Sequence, residues 1–193
     1  YCVVDGFFVS NFAGKTAFAA INLIMPFIMI LGGIGFMIGT GGSALVSYTL
    51  GTGDKEKANR YFSMMVYFTI LAGILLTVLG IIFVRPIAEL FGADESMMDT
   101  CVLYGRIVIA FNAAFMLQNI FQSFFVVAEK PRLGLIVTIA AGVTNMVLDA
   151  LFVGVFKWGI VGAALATGIS QSIGGLLPLL YFALPNNSPL QLT

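Results

Sequence analysis

Long apolar runs, separated by short polar breaks, make up almost the whole chain. A helix needs about 20 apolar residues to cross the hydrocarbon core of a bilayer. By that measure residues 16–50, 61–84, 97–128, 133–156 and 160–184 predict five complete spans, and residues 1–10 predict the outer end of a span that precedes them. Pro26 lacks a backbone donor and predicts a local break that bends the helix inside the run 16–50. The polar breaks carry turn chemistry. Gly51-Thr52-Gly53-Asp54 offers a left-handed glycine cap and then a carboxylate to cap the next helix. Arg85-Pro86 predicts the end of the span 61–84. Glu129-Lys130-Pro131-Arg132 predicts a tight turn, with Pro131 in the first turn of the following helix. Lys157-Trp158-Gly159 predicts the last hairpin, with Trp158 at the membrane interface.

Composition turns this pattern into a class. The chain of 193 residues is 60% hydrophobic and 9% charged, and its mean hydropathy is +1.04. A soluble domain carries about 25% charged residues, so a water-soluble globule of this size could not cover its surface. The predicted fold class is therefore an all-α membrane protein. Net charge is zero and no basic cluster exists, which leaves nucleic acid without an electrostatic footprint. Histidine is absent, which removes Ser-His-Asp and Cys-His catalysis and the usual zinc sites. Cys2 and Cys101 stand far apart and read as small apolar fillers. The chain begins on Tyr1 inside an apolar run, without a charged leader or cleavage pattern, so no signal peptide is expected. That start reads as a cut within the first span, and Pro185-Asn186-Asn187-Ser188-Pro189 reads as the beginning of a polar connector.

The breaks also differ in charge. One set holds Lys55, Lys57, Arg60, Lys130 and Arg132; the other holds Lys15, Arg85 and Lys157 among Glu89, Asp94, Glu95 and Asp99. An excess of Lys and Arg marks the cytoplasmic side, so the first set is expected there. Small residues crowd the run 16–50, where Gly35 and Gly39 are four apart, the spacing that lets helices approach closely in lipid. Gly159, Gly162, Ala163 and Ala166 form a similar face on the last span. A pseudo-match to a dinucleotide fingerprint at Gly39-Thr40-Gly41-Gly42-Ser43-Ala44 follows a helix instead of a strand and fails its context.

Ionisable groups inside a membrane are costly and mark function. Asp5, Arg106 and Asp149 interrupt the apolar spans. Asn145 stands four residues before Asp149, on the same helical face. A carboxylate and an amide oxygen so placed suit a small hard cation or a proton-binding carboxyl. They suit equally a structural pair that only joins two helices. Arg106 can snorkel to the outer interface or pair with a carboxylate.

The ordered segments Asp5-Gly6-Phe7-Phe8-Val9 through Gly14, the run from Ala17 to Pro26, Leu50-Gly51-Thr52-Gly53-Asp54, Asn145-Met146-Val147-Leu148-Asp149 and Gly159-Ile160-Val161-Gly162-Ala163-Ala164-Leu165-Ala166-Thr167 cover essentially the whole chain. Together they resemble the multidrug and toxic compound extrusion (MATE) transporters. The resemblance implies that residues 1–193 form one six-helix transmembrane lobe, with helix 1 truncated, of a twelve-helix pseudo-symmetric transporter. It implies an amino-terminal lobe whose partners are a second six-helix lobe of the same longer chain, membrane lipids and small organic drug-like substrates. It implies no enzyme and no cofactor beyond a coupling Na+ or H+, with export by alternating access from a multi-pass position in the plasma membrane, a prokaryotic inner membrane. It carries a cation- or proton-binding role onto Asp5, Asn145, Asp149 and Thr167, with Tyr104 lining the same cavity. On their residues alone, Thr167 could instead bond a carbonyl of its own helix, and Tyr104 could be an interfacial aromatic.

Three other readings compete. A flippase of lipid-linked precursors shares the helical layout but calls for a basic cavity, and Arg106 is the lone cation within the spans. An intramembrane aspartyl protease would pair Asp5 with Asp149, yet the glycine-rich motif expected around a second catalytic Asp is missing. Alternating access needs a second lobe to rock against, so the 193 residues alone are expected to transport nothing.

Overall fold

A computed structural model describes residues 2–12, 14–185 and 190–192, without the side chains of residues 2–5, 12 and 17. All regular structure among them is helical: α1 (Cys2–Phe12), α2 (Lys15–Gly51), α3 (Lys55–Leu90), α4 (Glu95–Ala110), α5 (Asn112–Val127), α6 (Pro131–Asp149) and α7 (Ile160–Ala183). A π-helical turn, Ala150–Val155, prolongs α6. Among the described residues α2, α3, α6 with its π turn, and α7 are each long and apolar enough to cross a membrane. Helices α4 and α5 pass the same test together, bent by 53°. The five complete spans expected from the apolar runs are therefore present.

Their internal details differ from expectation in four places. Helix α2 continues through Pro26, where a break was expected. Helix α3 likewise runs through Pro86 to Leu90. Its true stop is Gly92, whose φ of +94° is the left-handed cap, with Ala93 N donating to the Ala88 carbonyl at 3.0 Å. The span 97–128 is not one rod, because Phe111 N donates to the Val108 carbonyl at 3.0 Å, a tightened turn at the bend. The span 133–156 passes into π geometry just after Asp149, with Phe156 N donating to the Leu151 carbonyl at 2.7 Å.

Several turns follow the sequence. Gly53 takes φ +89°, and the Asp54 carboxylate accepts from Lys57 N at 3.0 Å to cap α3. Pro131 opens α6. Trp158 is half exposed and stacks on Phe152, ring centroids 4.9 Å apart.

Two apolar clusters mark the two ends of the bundle. One gathers Val9, Ile24, Val84, Tyr104 and Val153. The other gathers Val46, Phe62, Phe121, Phe124, Phe182 and Leu190, at the end that carries the 51–54 and 128–130 turns. The segment after α7 folds back there, burying Leu190 and donating from Gln191 N to Asn59 Oδ1 at 3.1 Å. Outward faces stay apolar, with Leu71, Ile82 and Leu135 exposed, as lipid contact requires.

Helix α5 is the axis of the lobe. Glycines on three neighbours let its backbone in. A Cβ at Gly35 of α2 would lie 2.7 Å from Met116 Cα, one at Gly73 of α3 would lie 2.8 Å from Ala113 Cα, and one at Gly175 of α7 would lie 2.6 Å from the Ala114 carbonyl oxygen. The Asn119 amide adds a hydrogen bond to the Gly32 carbonyl at 3.0 Å.

Candidate cation site

Asn145 and Asp149 occupy successive turns of α6 on the face turned inward, and both are completely buried. Across from them Thr167 lies on α7, 8% exposed. The Asn145 Nδ2 amide donates to Thr167 Oγ1 at 3.5 Å, a long bond that joins the two helices. No hydrogen bond from Thr167 Oγ1 to its own helix is found among the described residues, so the hydroxyl faces Asn145 instead. The Asn145 Oδ1 atom is buried with no hydrogen-bond partner among the described residues. The structure thus brings together three of the five sequence-predicted residues, as an amide, a hydroxyl and a carboxyl with oxygens of the hard type.

Local sequence explains the placement. Gly162 lets α7 lie against the chain just beyond Asp149, since a Cβ there would meet Phe152 Cβ and its carbonyl oxygen at 2.9 Å. Gly168, next to Thr167, receives the Phe111 ring, which a Cβ would strike at 2.2 Å. The bend of the α4–α5 span is therefore seated beside the site.

The remaining candidates stand differently. The backbone of Asp5 belongs to α1, but its side chain lies outside the described residues. Helix α1 packs against α6 and the π turn, and a Cβ at Gly154 would sit 3.9 Å from the Phe8 ring. Tyr104 is 1% exposed, within the apolar cluster that also holds Ala163 and Ala164, one turn before Thr167. Its ring is enclosed by neighbouring helices and does not face outward. Arg106 is exposed on α4. Cys101 is a free, buried thiol whose Sγ lies 3.4 Å from the Ala20 carbonyl, which fits the filler reading; the Cys2 side chain lies outside the described residues.

Neutral residues entered the sequence reading only beside an ionisable one, as Asn145 beside Asp149, or through the family resemblance, as Thr167; other buried neutral side chains were passed over. Ser170 and Gln171 of α7, and Asn112 and Gln118 of α5, are all at least nine-tenths buried. The signal was available: Gln171 stands four residues after Thr167 inside an apolar run, and so on the same face.

The MatE family model matches residues 1–151, a stretch that includes Asn145 and Asp149. The chain belongs to this family. The multidrug export protein MepA of Staphylococcus saprophyticus is 27% identical over 182 residues, covering 94% of this chain and 40% of its own length. MepA of Staphylococcus haemolyticus is 26% identical over 188 residues, covering 97% and 42%. Among solved structures, MATE in the bent conformation superposes with a TM-score of 0.93 at 21% identity, over 99% of this chain and 42% of that one. The inward-facing conformation of a multidrug resistance MATE family transporter gives 0.93 at 22%, over 100% and 44%. The chain spans about two fifths of the length of the curated relatives it matches. Its architecture is thus that of a half-length MATE lobe, and it is a multi-pass membrane protein. The bacterial relatives fit a plasma-membrane location.

Proposed function

We propose that this MatE chain is the cation-handling amino-terminal lobe, over residues 1–193, of an exporter of organic, often cationic, compounds, driven by Na+ or H+ through alternating access. The observation that carries the reading is the completely buried Asp149 beside Asn145, tied to Thr167 across the α6–α7 interface. A carboxyl group held in so dry a place needs either a counter-cation or a proton. The amide and hydroxyl oxygens supply additional ligands for a cation, and the amide can hydrogen-bond a protonated carboxyl. Asp5 on α1 and Tyr104 on α4 complete the proposed site. Loading and unloading that site would bias the lobe between two states, and drug binding would favour the state that the ion does not.

The names of the relatives support export of drugs as the cargo class, and their greater length supports a second lobe as the partner. Lipid is the remaining partner of the apolar outer faces. Flipping of lipid-linked precursors gains nothing from the fold, since Arg106 is exposed and adds no buried positive charge.

Dye efflux from cells expressing the full-length protein tests the reading. Asp149→Asn should abolish gradient-dependent efflux while expression and folding persist. Efflux that continues unchanged and still follows the ion gradient would refute it.

A further inference from the structure

We propose that a file of ordered water runs along one face of α7 and connects the buried Asp149 carboxyl to the lobe surface at Gln122 and Thr138. The proposal deepens the cation-site reading, because the file would be the route by which that site meets water.

The path can be followed residue by residue. Asp149 and Asn145 share a face of α6, and Asn145 meets Thr167 on α7 at 3.5 Å. Four residues on, Gln171 continues the same face of α7, followed after three more by Gly174. Gly174 is where the Gln118 amide of α5 lies, so close that a Cβ there would sit 2.7 Å from Gln118 Nε2. Gln118 and Gly174 line a small cavity with Gln122, Thr138, Phe121 and Pro178, with room for roughly one water molecule. Gln122, one turn after Gln118, and Thr138, about two turns into α6, are both exposed, which opens the cavity at the lobe surface toward the end that carries the 128–130 turn, where the polar interface begins. From Thr167 to Gly174 the rise along α7 is about 10 Å, the length of a few waters in file.

Three stations on this path make the same demand. Oδ1 of Asn145, Oε1 of Gln171 and Oε1 of Gln118 are buried acceptors without a hydrogen-bond partner among the described residues. Unmade acceptors are costly in a packed interior, and buried polar groups are nearly always satisfied. A single such atom could be local strain. Three at successive helical levels, ending at a cavity of water size, fit one continuous donor. Water is that donor, since it gives protons to amide oxygens and passes them on to its neighbours.

Carbodiimide labelling of Asp149 in the full-length protein, reconstituted in liposomes, reads water access directly. A water-soluble carbodiimide with an amine nucleophile reaches the carboxyl only through water, whereas a lipid-soluble one arrives from the bilayer. Labelling is scored by peptide mass spectrometry against Asp149→Asn. The expected result is labelling by both reagents in the native sequence. Gln171→Leu and Gln118→Leu should each slow the water-soluble reaction several-fold and leave the lipid-soluble one unchanged. The unchanged reaction also reports that the variant has folded, and Gln122→Leu at the exposed mouth should give the same pattern in milder form. Native protein labelled only by the lipid-soluble reagent, or Leu variants labelled by the water-soluble reagent at the native rate, would overturn the proposal. The two readings fail separately. Efflux that survives Asp149→Asn removes the cation site and leaves the water file standing, whereas unslowed labelling removes the file and leaves the site.

Discussion

Replacing Gly35 by alanine adds one methyl group at the close crossing of α2 and α5. That methyl would lie 2.7 Å from Met116 Cα and 2.8 Å from the Met116 carbonyl oxygen. Carbon atoms rest at about 3.5–4.0 Å, so α2 and α5 would have to part by about 1 Å. The obstacle is backbone, which no side-chain rotation can clear. Overpacking of this kind costs about 1–3 kcal/mol, and an obstacle that cannot move puts Gly35→Ala near the upper end. Alanine recovers about 1 kcal/mol over glycine in helix propensity, which leaves a net loss of about 2 kcal/mol. Gly33, two residues earlier on the same helix, has nothing within 4 Å of its would-be Cβ. Gly33→Ala should therefore gain up to about 1 kcal/mol. Unfolding of the two variants and the native chain in the same micelle, followed by circular dichroism against denaturant, gives the comparison. Gly35→Ala as stable as Gly33→Ala would refute the close-approach argument.

Other expectations are independent of that crossing. Phe62→Ala removes the ring on which Phe124 and Phe182 converge, with centroids at 4.8 and 4.9 Å. Lipid is as apolar as the core, so only the packing term remains. A hole on the order of 100 Å³ at about 24 cal/mol per Å³ predicts a loss of about 2 kcal/mol in the same denaturation assay. Leu190→Ala together with Asn59→Ala should release the segment after α7, read as faster proteolysis beyond Ala183 with helix content unchanged. The Ser96 hydroxyl, and after it the Met97 amide, hold the Asp94 carboxyl below the usual carboxylate range. A depressed value means that its cap on α4 is complete above the ordinary carboxylate range and fades as pH falls through the lowered one. Protection of the Met97 amide, its exchange rate relative to the intrinsic rate at the same pH, should fall over that acid window, and in Asp94→Ala it should be low throughout.

Much of the fold was legible because lipid imposes a simple rule: every span must be apolar for its whole length and close its own hydrogen bonds. Asp54 and Pro131 at their helix starts and Gly53 at its turn followed from local chemistry alone. Where the reading failed, the cause was tertiary. Pro26 and Pro86 each remove one donor, which a long membrane helix absorbs without ending. The bend at Phe111 has neither glycine nor proline to announce it. Its partner is Gly168, more than fifty residues away. Asn145 and Asp149 were found because α-helical spacing placed them on one face and charge made them conspicuous. Gln118 and Gln171 were missed because neutral amides raise no alarm in an apolar run, and only the packing of α5 on α7 shows that both are enclosed.

The seating of α5 between glycines of α2, α3 and α7 also bears on how the lobe is made. Synthesis delivers the helices in order, so α5 enters the membrane when two of its three seats exist and the third has yet to be translated. Until α7 arrives, the amide of Gln118 faces whatever else is present, and Asn145 has no Thr167 to meet. The last helix therefore closes the bundle and assembles the polar interior in one event. A chain that stops before residue 160 would lack the helix that encloses Gln118 and meets Asn145, and would set those amides against lipid at a cost.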